Sequence, residues 1–244
     1  MKLLAFDTST DRMSIAVSDG ARVWQHTGPG GAQASSTLIP AILALLDQAG
    51  LALAGLDALV FGRGPGSFTG LRTACSVAQG LAFGARLPVL PLDTLLALAE
   101  EARFQHQGAA PADVQVLALL DARMDEMYVQ RFGFAGGLWT ATAPCTLIRP
   151  EALQLQAGTG LLAGNVFSVY ADRLPVFEDQ PPRVNALPTA TALLRLAPAL
   201  LAAGHGVPAD QALPLYVRDK VALTTDERAS VKAARARHAA DNEA

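Results

Sequence analysis

A glycine-rich stretch is the feature that most constrains how this chain can fold. Residues 62–72 read Gly-Arg-Gly-Pro-Gly-Ser-Phe-Thr-Gly-Leu-Arg, so four glycines and a proline fall within eleven residues. The apolar residues 58–61 before it have the length and character of a β-strand, and apolar residues recur at helical spacing from Leu71 to Gly84. Because glycine lets another group approach the main chain closely, the stretch is predicted to be a tight strand-to-helix turn.

Two interpretations of this turn remain open. Its backbone N–H groups, at the start of a helix, could bind an anion such as a phosphate. A connection that packs a helix of small residues closely against a sheet would use glycine equally well, and local spacing favours this interpretation because such turns are common in α/β proteins. The stretch is not a P-loop, since no Gly-Lys-Ser/Thr follows, and serine at position 67 breaks the dinucleotide-binding pattern.

Composition and charge exclude several classes of protein. Hydrophobic residues make up 51% of the 244 residues, which predicts a large core and argues against global disorder. The net charge of −3 argues against a protein that binds nucleic acid by itself, because such proteins usually need a basic face. Cys75 and Cys145 form no motif, and the sequence shows neither a signal peptide nor an apolar stretch of transmembrane length. A soluble, cytoplasmic protein is therefore predicted.

The order of strand patterns indicates a duplicated fold. The apolar run Leu3–Phe6 ends in Asp7-Thr8-Ser9-Thr10 and is followed by an alternating strand. The apolar run Val114–Leu120 ends in Asp121-Ala122-Arg123 and is also followed by an alternating strand. This repeat predicts an α/β chain with two lobes, each a mixed β-sheet flanked by helices.

The domain boundaries follow from this repeat and from a polar linker that begins at residue 105. Residues 1–104 are predicted to form the first lobe, with the glycine turn, and residues 105–223 the second lobe. Residues 224–244 are charged and alanine-rich, and are predicted to be a disordered, solvated tail. A basic arm that touches RNA phosphates is the alternative for this tail.

The two aspartate turns suggest a nucleotide-binding cleft between the lobes. In such clefts hydroxyl-bearing turns face phosphates and carboxylates hold a metal ion, although an Asx turn would use the same residues for the backbone alone. The candidate cleft residues are Asp7, Thr8, Ser9, Gly64, Gly66, Ser67, Asp121 and Arg123. No two of the four histidines have the i, i+3 or i, i+4 spacing of a helical metal site, so no metal centre is predicted. The sequence identifies no general base for any serine, so no catalytic residue is predicted.

An unusually wide apolar stripe marks the helix predicted from Ser35 to Ala49. It spans roughly 160° of the helix circumference, more than contact with one sheet requires. Either the helix is deeply packed, or it serves its own core and a second protein at once. The second interpretation, with the small residues of the following helix, predicts an apolar partner interface formed by Leu38, Ile42, Leu45, Leu71, Cys75 and Ala78.

Taken together, these motifs resemble the TsaB (YeaZ) family of accessory proteins in tRNA threonylcarbamoyladenosine biosynthesis. The resemblance rests on the segments Asp7–Thr10, Gly62–Arg72, Val77–Ala82 and Asp121–Met124, and on the closing Tyr216–Ala222. It implies an actin-like (ASKHA, ribonuclease H-like) fold with a degenerate active site. TsaD, the catalytic relative, carries a metal-binding histidine pair on its early helix, whereas the corresponding region here has none and shows Ala34 where TsaB proteins often have a histidine.

The resemblance also implies a function and partners. The chain would be a non-catalytic subunit that activates TsaD, together with the ATPase TsaE, in transferring a threonylcarbamoyl group to N6 of adenosine 37 in tRNAs that read codons beginning with A. It would form a homodimer when alone, contact tRNA only through the complex, and have no membrane contact. It would hold no cofactor of its own, with ATP and a metal ion on partner subunits. The alternative is a small-molecule kinase or ATPase on the same scaffold, which the lack of metal ligands disfavours.

Overall fold

Two mixed β-sheets with the same strand order form the frame of this computed structural model, which describes residues 1–108, 112–178 and 180–218. The predicted tail, residues 224–244, lies outside the described residues, as does part of the predicted linker. Each sheet is flanked by helices, as the sequence predicts for a two-lobed α/β chain.

The first sheet has five strands. They are β1 (Leu3–Asp7), β2 (Arg12–Ser18), β3 (Val23–Pro29), β4 (Ala58–Gly64) and β5 (Val89–Asp93), in the spatial order β3-β2-β1-β4-β5. The central strand β1 pairs antiparallel with β2 and parallel with β4, which pairs parallel with β5. β1 is buried along its whole length, as its uninterrupted apolar run predicts.

The second sheet repeats this arrangement. It contains β6 (Val114–Asp121), β7 (Met127–Ala135), β8 (Leu138–Ala141), β9 (Thr146–Ile148), β10 (Leu161–Gly164) and β11 (Arg183–Asn185). Its order is β11-β10-β6-β7-β8, and β9 also pairs with β7. The central strand β6 pairs antiparallel with the next strand and parallel with β10, as β1 does with β2 and β4. The predicted duplication is therefore confirmed.

In the described part of the chain, five α-helices cover the sheets: α1 (Ala34–Ala49), α2 (Phe68–Ala85), α3 (Thr94–Gln107), the short α4 (Val166–Val169) and α5 (Ala190–Ala202). α1 and α2 pack on the face of the first sheet that carries Leu4 and Phe6, while α5 packs on the face that carries Leu3 and Ala5. α3 packs mainly against β6 of the second sheet. Within the described ranges, no helix is both long and apolar enough to cross a membrane.

The predicted boundary between residues 104 and 105 separates the two sheets but not the helices. α3 begins in the first segment, continues to Gln107, and packs on the second sheet. α5 belongs to the second segment and packs on the first sheet. Each lobe therefore contributes a helix that packs on the sheet of the other lobe. Local sequence patterns do not predict this exchange, because they carry no information on which sheet a helix will cover.

A buried ion network joins α3, α5 and β8 at this crossing. Glu100 accepts hydrogen bonds from Arg103 Nε (2.9 Å), Arg195 Nε (2.7 Å) and Trp139 Nε1 (3.0 Å), and Glu101 accepts one from Arg195 Nη2 (2.6 Å). Burial alone would raise the pKa of Glu100, but these donors hold it below its ordinary value. The network therefore connects α3 and α5 to strand β8 of the second sheet.

Candidate functional site

A cleft of about 360 Å³ lies between the lobes and brings the two aspartate turns to opposite walls. Of the predicted cleft residues, the structure places Ser9, Gly66, Ser67, Asp121 and Arg123 along this cleft. The remaining three, Asp7, Thr8 and Gly64, lie beneath its wall and are buried. The predicted set is thus brought together, but only part of it faces the open space.

Asp7 ends β1 and is fully buried. Its Oδ1 accepts hydrogen bonds from the main-chain N of Ser9 at 2.8 Å and from Ser9 Oγ at 2.6 Å, and Thr94 Oγ lies 3.5 Å from Oδ2. Burial raises the pKa of Asp7 to about 6, although the hydrogen bonds from Ser9 and Thr94 oppose this shift. The carboxylate therefore closes the turn onto itself instead of facing the cleft.

The glycines of the predicted turn pack against the first aspartate turn. A Cβ on Gly62 would overlap the Asp7 carboxylate, and one on Gly70 would overlap the main-chain oxygen of Thr8. A Cβ on Gly66 would lie 2.6 Å from the main-chain oxygen of Ser9. The glycines are thus needed for close contact between the chain's own segments, which supports the packing interpretation of the stretch over phosphate binding.

Ser67 starts α2 and ties it to the first turn. Its hydroxyl accepts a hydrogen bond from Gly70 N and caps the helix, while its own N–H donates to the main-chain oxygen of Ser9 at 2.7 Å. The helix therefore begins at Phe68, three residues before the apolar spacing that predicts it at Leu71, because periodicity does not report a capped first turn.

The second aspartate turn has a different construction. Asp121 Oδ1 accepts hydrogen bonds from Tyr170 Oη at 2.7 Å and from the main-chain N of Arg123 at 2.9 Å, and Oδ2 lies 3.5 Å from Arg123 Nε. Arg123, Met124 and Asp125 all have positive φ, between 57° and 61°. Three successive left-handed residues without glycine are strained, at roughly 1–2 kcal/mol each.

Side chains from distant parts of the chain hold this strained turn. Arg218 Nη2 donates to Glu126 Oε2 at 2.7 Å and to the main-chain oxygen of Arg123 at 3.3 Å, and Tyr170 Oη donates to Asp121. Sequence reasoning missed Tyr170, since it lies 49 residues from Asp121 in a segment without a motif. Arg218 belongs to the closing segment that carries the family resemblance, which was the available signal for its importance.

The six predicted interface residues are core residues. Leu38, Ile42, Leu45, Leu71, Cys75 and Ala78 are all buried within the chain itself. Their assignment to a partner interface is wrong, because α1 and α2 turn these positions toward the first sheet. The outer edge of the apolar stripe on α1, formed by Ile39 and Leu43, is exposed, as is Phe83 on α2.

Two glycines add to this exposed face of α2. A Cβ on Gly80 or Gly84 would meet nothing within 4 Å, so both positions are open to solvent. Small residues on an exposed helix face allow another helix to approach closely. In the part of the chain that the structure describes, no group of three or more His, Cys, Asp or Glu side chains is arranged to hold a metal ion.

Comparisons with known proteins agree on one family. The family model described as TsaD, tRNA N6-adenosine threonylcarbamoyltransferase, matches residues 29–233. The chain is 32% identical to the tRNA threonylcarbamoyladenosine biosynthesis protein TsaB of Escherichia coli, covering 91% of this chain and 96% of that protein. It is 34% identical to TsaB of Haemophilus influenzae, covering 91% and 95%. The solved structure of YeaZ from Pseudomonas aeruginosa superposes with a TM-score of 0.78 at 38% identity, covering 88% of this chain and 99% of that one.

Proposed function

This chain belongs to the TsaB (YeaZ) family, within the wider family that the TsaD model describes, and on that premise we propose that it is a non-catalytic subunit in tRNA threonylcarbamoyladenosine biosynthesis. The family membership and the actin-like, two-lobed fold that the sequence predicts are confirmed by these matches. In this proposal the chain acts in the cytoplasm, binds TsaD with TsaE as a third partner, and contacts tRNA through the complex. ATP and a metal ion belong to the partner subunits.

The state of the two strand-end aspartates supports a non-catalytic role. Asp7 is sealed beneath the cleft by Ser9 and Thr94, and Asp121 is engaged by Tyr170 and Arg123. A kinase or ATPase of this architecture would use the carboxylates at the ends of the central strands to position a metal-bound nucleotide. With both aspartates used to hold turns, the cleft favours the subunit over the enzyme.

The exposed face of α1 and α2 is the proposed contact with TsaD, and with a second copy when the chain is alone. Leu43 on α1 is 53% exposed, and Phe83 is 81% exposed on α2, the helix that also carries the open positions Gly80 and Gly84. Large apolar side chains at central positions carry most of the affinity of an interface. This face replaces the six buried residues as the predicted contact surface.

The variant Leu43→Glu tests this interface. We expect it to fold normally, to sediment as a monomer, and to bind TsaD at least about 30-fold more weakly, since a hot-spot residue contributes roughly 2 kcal/mol or more. Threonylcarbamoyl transfer to tRNA by the reconstituted complex should fall in parallel.

Two control variants make the result interpretable. Ile42→Glu, one position earlier on α1 but in the core, should fail to fold. Leu138→Glu, equally exposed but on the second lobe, should fold and bind TsaD normally. A folded Leu43→Glu protein that still binds TsaD with full affinity would place the interface elsewhere.

ATP hydrolysis distinguishes the two candidate functions. We expect no turnover by the purified chain, with or without magnesium. Metal-dependent hydrolysis that copurifies with the chain and disappears in an Asp121→Asn variant would favour the kinase or ATPase.

A further inference from the structure

The last described segment of the chain, residues 212–218, has no regular secondary structure and begins on the first lobe. We call it the strap. The main-chain oxygen of Ala212 accepts hydrogen bonds from Cys75 Sγ at 3.1 Å and from Gln79 Nε2 at 2.9 Å, and both donors lie on α2. The start of the strap is therefore bound to the side of α2.

The middle of the strap is also held by the first lobe. Leu215 N donates to the main-chain oxygen of Arg63 at the end of β4, at 2.7 Å. The Tyr216 ring lies 5.2 Å from that of Phe68, and its hydroxyl accepts a hydrogen bond from Arg72 Nε at 3.1 Å. Phe68 and Arg72 belong to the first turns of α2. Most of these contacts are to α2, so the position of the strap depends on that helix.

The end of the strap belongs to the second lobe. Val217 packs against the core cluster that contains Leu120 and Ala122. Arg218, whose side chain is only 14% exposed, donates from Nη2 to Glu126 Oε2 at 2.7 Å. The strap therefore crosses from one lobe to the other within two or three residues, and a displacement at one end is not easily absorbed before the other.

The strap ends on a turn that local preference does not stabilise. Arg123, Met124 and Asp125 are all left-handed, and an L-residue other than glycine is disfavoured there. Such a turn persists only where its surroundings hold it, and segments of this kind are common at conformational switches. Arg218 Nη2 donates to the main-chain oxygen of Arg123 at 3.3 Å, and Nη1 lies 3.1 Å from Met124 Sδ. The strap is thus one of the contacts that hold the turn.

We propose that the strap couples α2 on the first lobe to the left-handed turn on the second lobe. While the strap is seated on α2, Arg218 holds the turn. When α2 shifts and the strap moves with it, Arg218 is withdrawn and the turn relaxes toward the right-handed conformation. A protein that binds the exposed α1–α2 face and shifts α2 would then move Met124, on the other lobe. This consequence rests on the proposed function, whereas the coupling itself does not.

The variant Arg218→Met tests the hold of the strap on the turn. A residue with positive φ gives a strong NMR cross-peak between its own amide and α protons. We expect this signature at residues 123–125 of the parent chain and its loss in folded Arg218→Met. The double variant Arg218→Met/Met124→Gly should recover it at Arg123 and Asp125, because glycine adopts the left-handed conformation without penalty. A strap that only adds stability would leave the signature in the single variant.

The variant Gln79→Leu tests the other end of the strap, on the first lobe. It removes one donor to Ala212 and leaves the second lobe untouched. The chain has four methionines, so methyl-labelled protein gives a simple spectrum in which Met124→Leu assigns the signal. We expect Gln79→Leu to shift the Met124 methyl in the same direction as Arg218→Met but less far, since Cys75 still donates to Ala212.

A change on α2 away from the strap is the matched control. The Thr73 hydroxyl donates to the main-chain oxygen of Thr69 within the helix and is exposed. Thr73→Val should leave the Met124 methyl and the signature of the turn unchanged.

Addition of TsaD tests whether a partner uses the coupling. TsaD should shift the Met124 methyl of the parent chain, and it should bind Arg218→Met without moving this signal toward the position seen in the parent complex. Leu43→Glu should show neither binding nor shift. Failure of TsaD to bind the parent chain would contradict the proposed function alone, because the Arg218 and Gln79 variants decide the coupling in the isolated chain.

Four results would each overturn the coupling. Folded Arg218→Met could keep the left-handed signature throughout the turn, or Gln79→Leu could leave the Met124 methyl at its parent position. TsaD could bind the parent chain without shifting that methyl. It could also cause the same shift in Arg218→Met, which would indicate direct contact between TsaD and Met124 instead of transmission through the strap.

Discussion

The two aspartate turns occupy equivalent places in the two lobes and are held in opposite ways. Asp7 ends the central strand of the first sheet, and its turn is packed by main chain from the glycine stretch. Asp121 ends the central strand of the second sheet, and its turn is left-handed and held by the distant side chains of Tyr170 and Arg218. Duplication of the fold therefore sets where an aspartate lies but not what its carboxylate does.

The difference has a chemical consequence. Asp7 is buried, and among the described residues its carboxylate accepts from hydroxyl and amide donors and from no cation, so burial raises its pKa to about 6. Asp121 has an arginine within 3.5 Å and a tyrosine hydroxyl as donor. In the part of the chain that the structure describes, both strand-end carboxylates are therefore bound by the protein's own groups, Asp7 beneath the cleft and Asp121 at its wall.

The largest effect should come from breaking the main-chain packing around the first turn. In Gly70→Ala a Cβ would overlap the main-chain oxygen of Thr8, which cannot rotate away. We expect a loss of at least about 4 kcal/mol in the free energy of unfolding, at the high end for overpacking because the obstructing atom is main chain. Urea unfolding followed by circular dichroism measures it.

Gly80→Ala is the matched control, since it makes the same change in the same helix where the Cβ meets open space. Helix propensity alone should then raise the free energy of unfolding by about 1 kcal/mol. If the two variants proved equally stable, the glycine stretch would not be needed for packing against the first turn.

The next effect concerns the charge of Asp7. Its pKa rises from 3.8 to about 6 on folding, so the folded state binds its proton more tightly than the unfolded state. The contribution of Asp7 to stability is therefore most favourable below about pH 4 and is lost as the pH rises to about 6. Asp7→Asn keeps a side-chain oxygen for Ser9 and removes the charge, so it should stabilise the protein at pH 7 by up to about 3 kcal/mol.

Unfolding measured from pH 4 to pH 7 sharpens this comparison. We expect the free energy of unfolding of the parent chain to decline between pH 4 and 6, and that of Asp7→Asn to lack this decline. Asp121→Asn, the equivalent change in the second lobe, loses its ion pair with Arg123 and should be slightly less stable than the parent at pH 7. A stabilised Asp121→Asn together with a destabilised Asp7→Asn would reverse the contrast between the turns.

A smaller effect is expected from the side-chain support of the second turn. Tyr170→Phe removes the hydroxyl whose single proton is shared between Asp121 Oδ1 and the main-chain oxygen of Glu126, and should cost about 1–2 kcal/mol in unfolding free energy. Burial, and then the hydrogen bond to Asp121, raise the pKa of Tyr170, so its ionisation in an ultraviolet titration should occur above the ordinary tyrosine range.

Tyr128→Phe serves as the control, because the Tyr128 hydroxyl has no hydrogen-bond partner among the described residues and its loss should change stability by less than about 0.5 kcal/mol. Equal losses in the two variants would mean that Tyr170 supports the turn through its ring and not through its hydroxyl.

The sequence by itself determined the features that depend on short-range pattern. Apolar runs ending in aspartate predict both central strands, and the glycine spacing predicts the turn before α2, because strand burial and close main-chain approach act within a few residues. The family resemblance rests on the same short motifs, and the matches to TsaB proteins confirm it.

Only the tertiary structure decided which side of each feature faces the core. Periodicity gives the width of the apolar stripe on α1 but not the rotation of the helix about its own axis. Ile42 is buried and Leu43 is exposed because α1 packs on the first sheet with the side of Ile42 toward it. Tyr170, which donates to Asp121, lies 49 residues away from it. α3 packs on the second sheet and α5 on the first, each across the boundary between the lobes. Contacts between distant segments depend on how whole helices and strands pack together, and the spacing of neighbouring residues does not determine that packing.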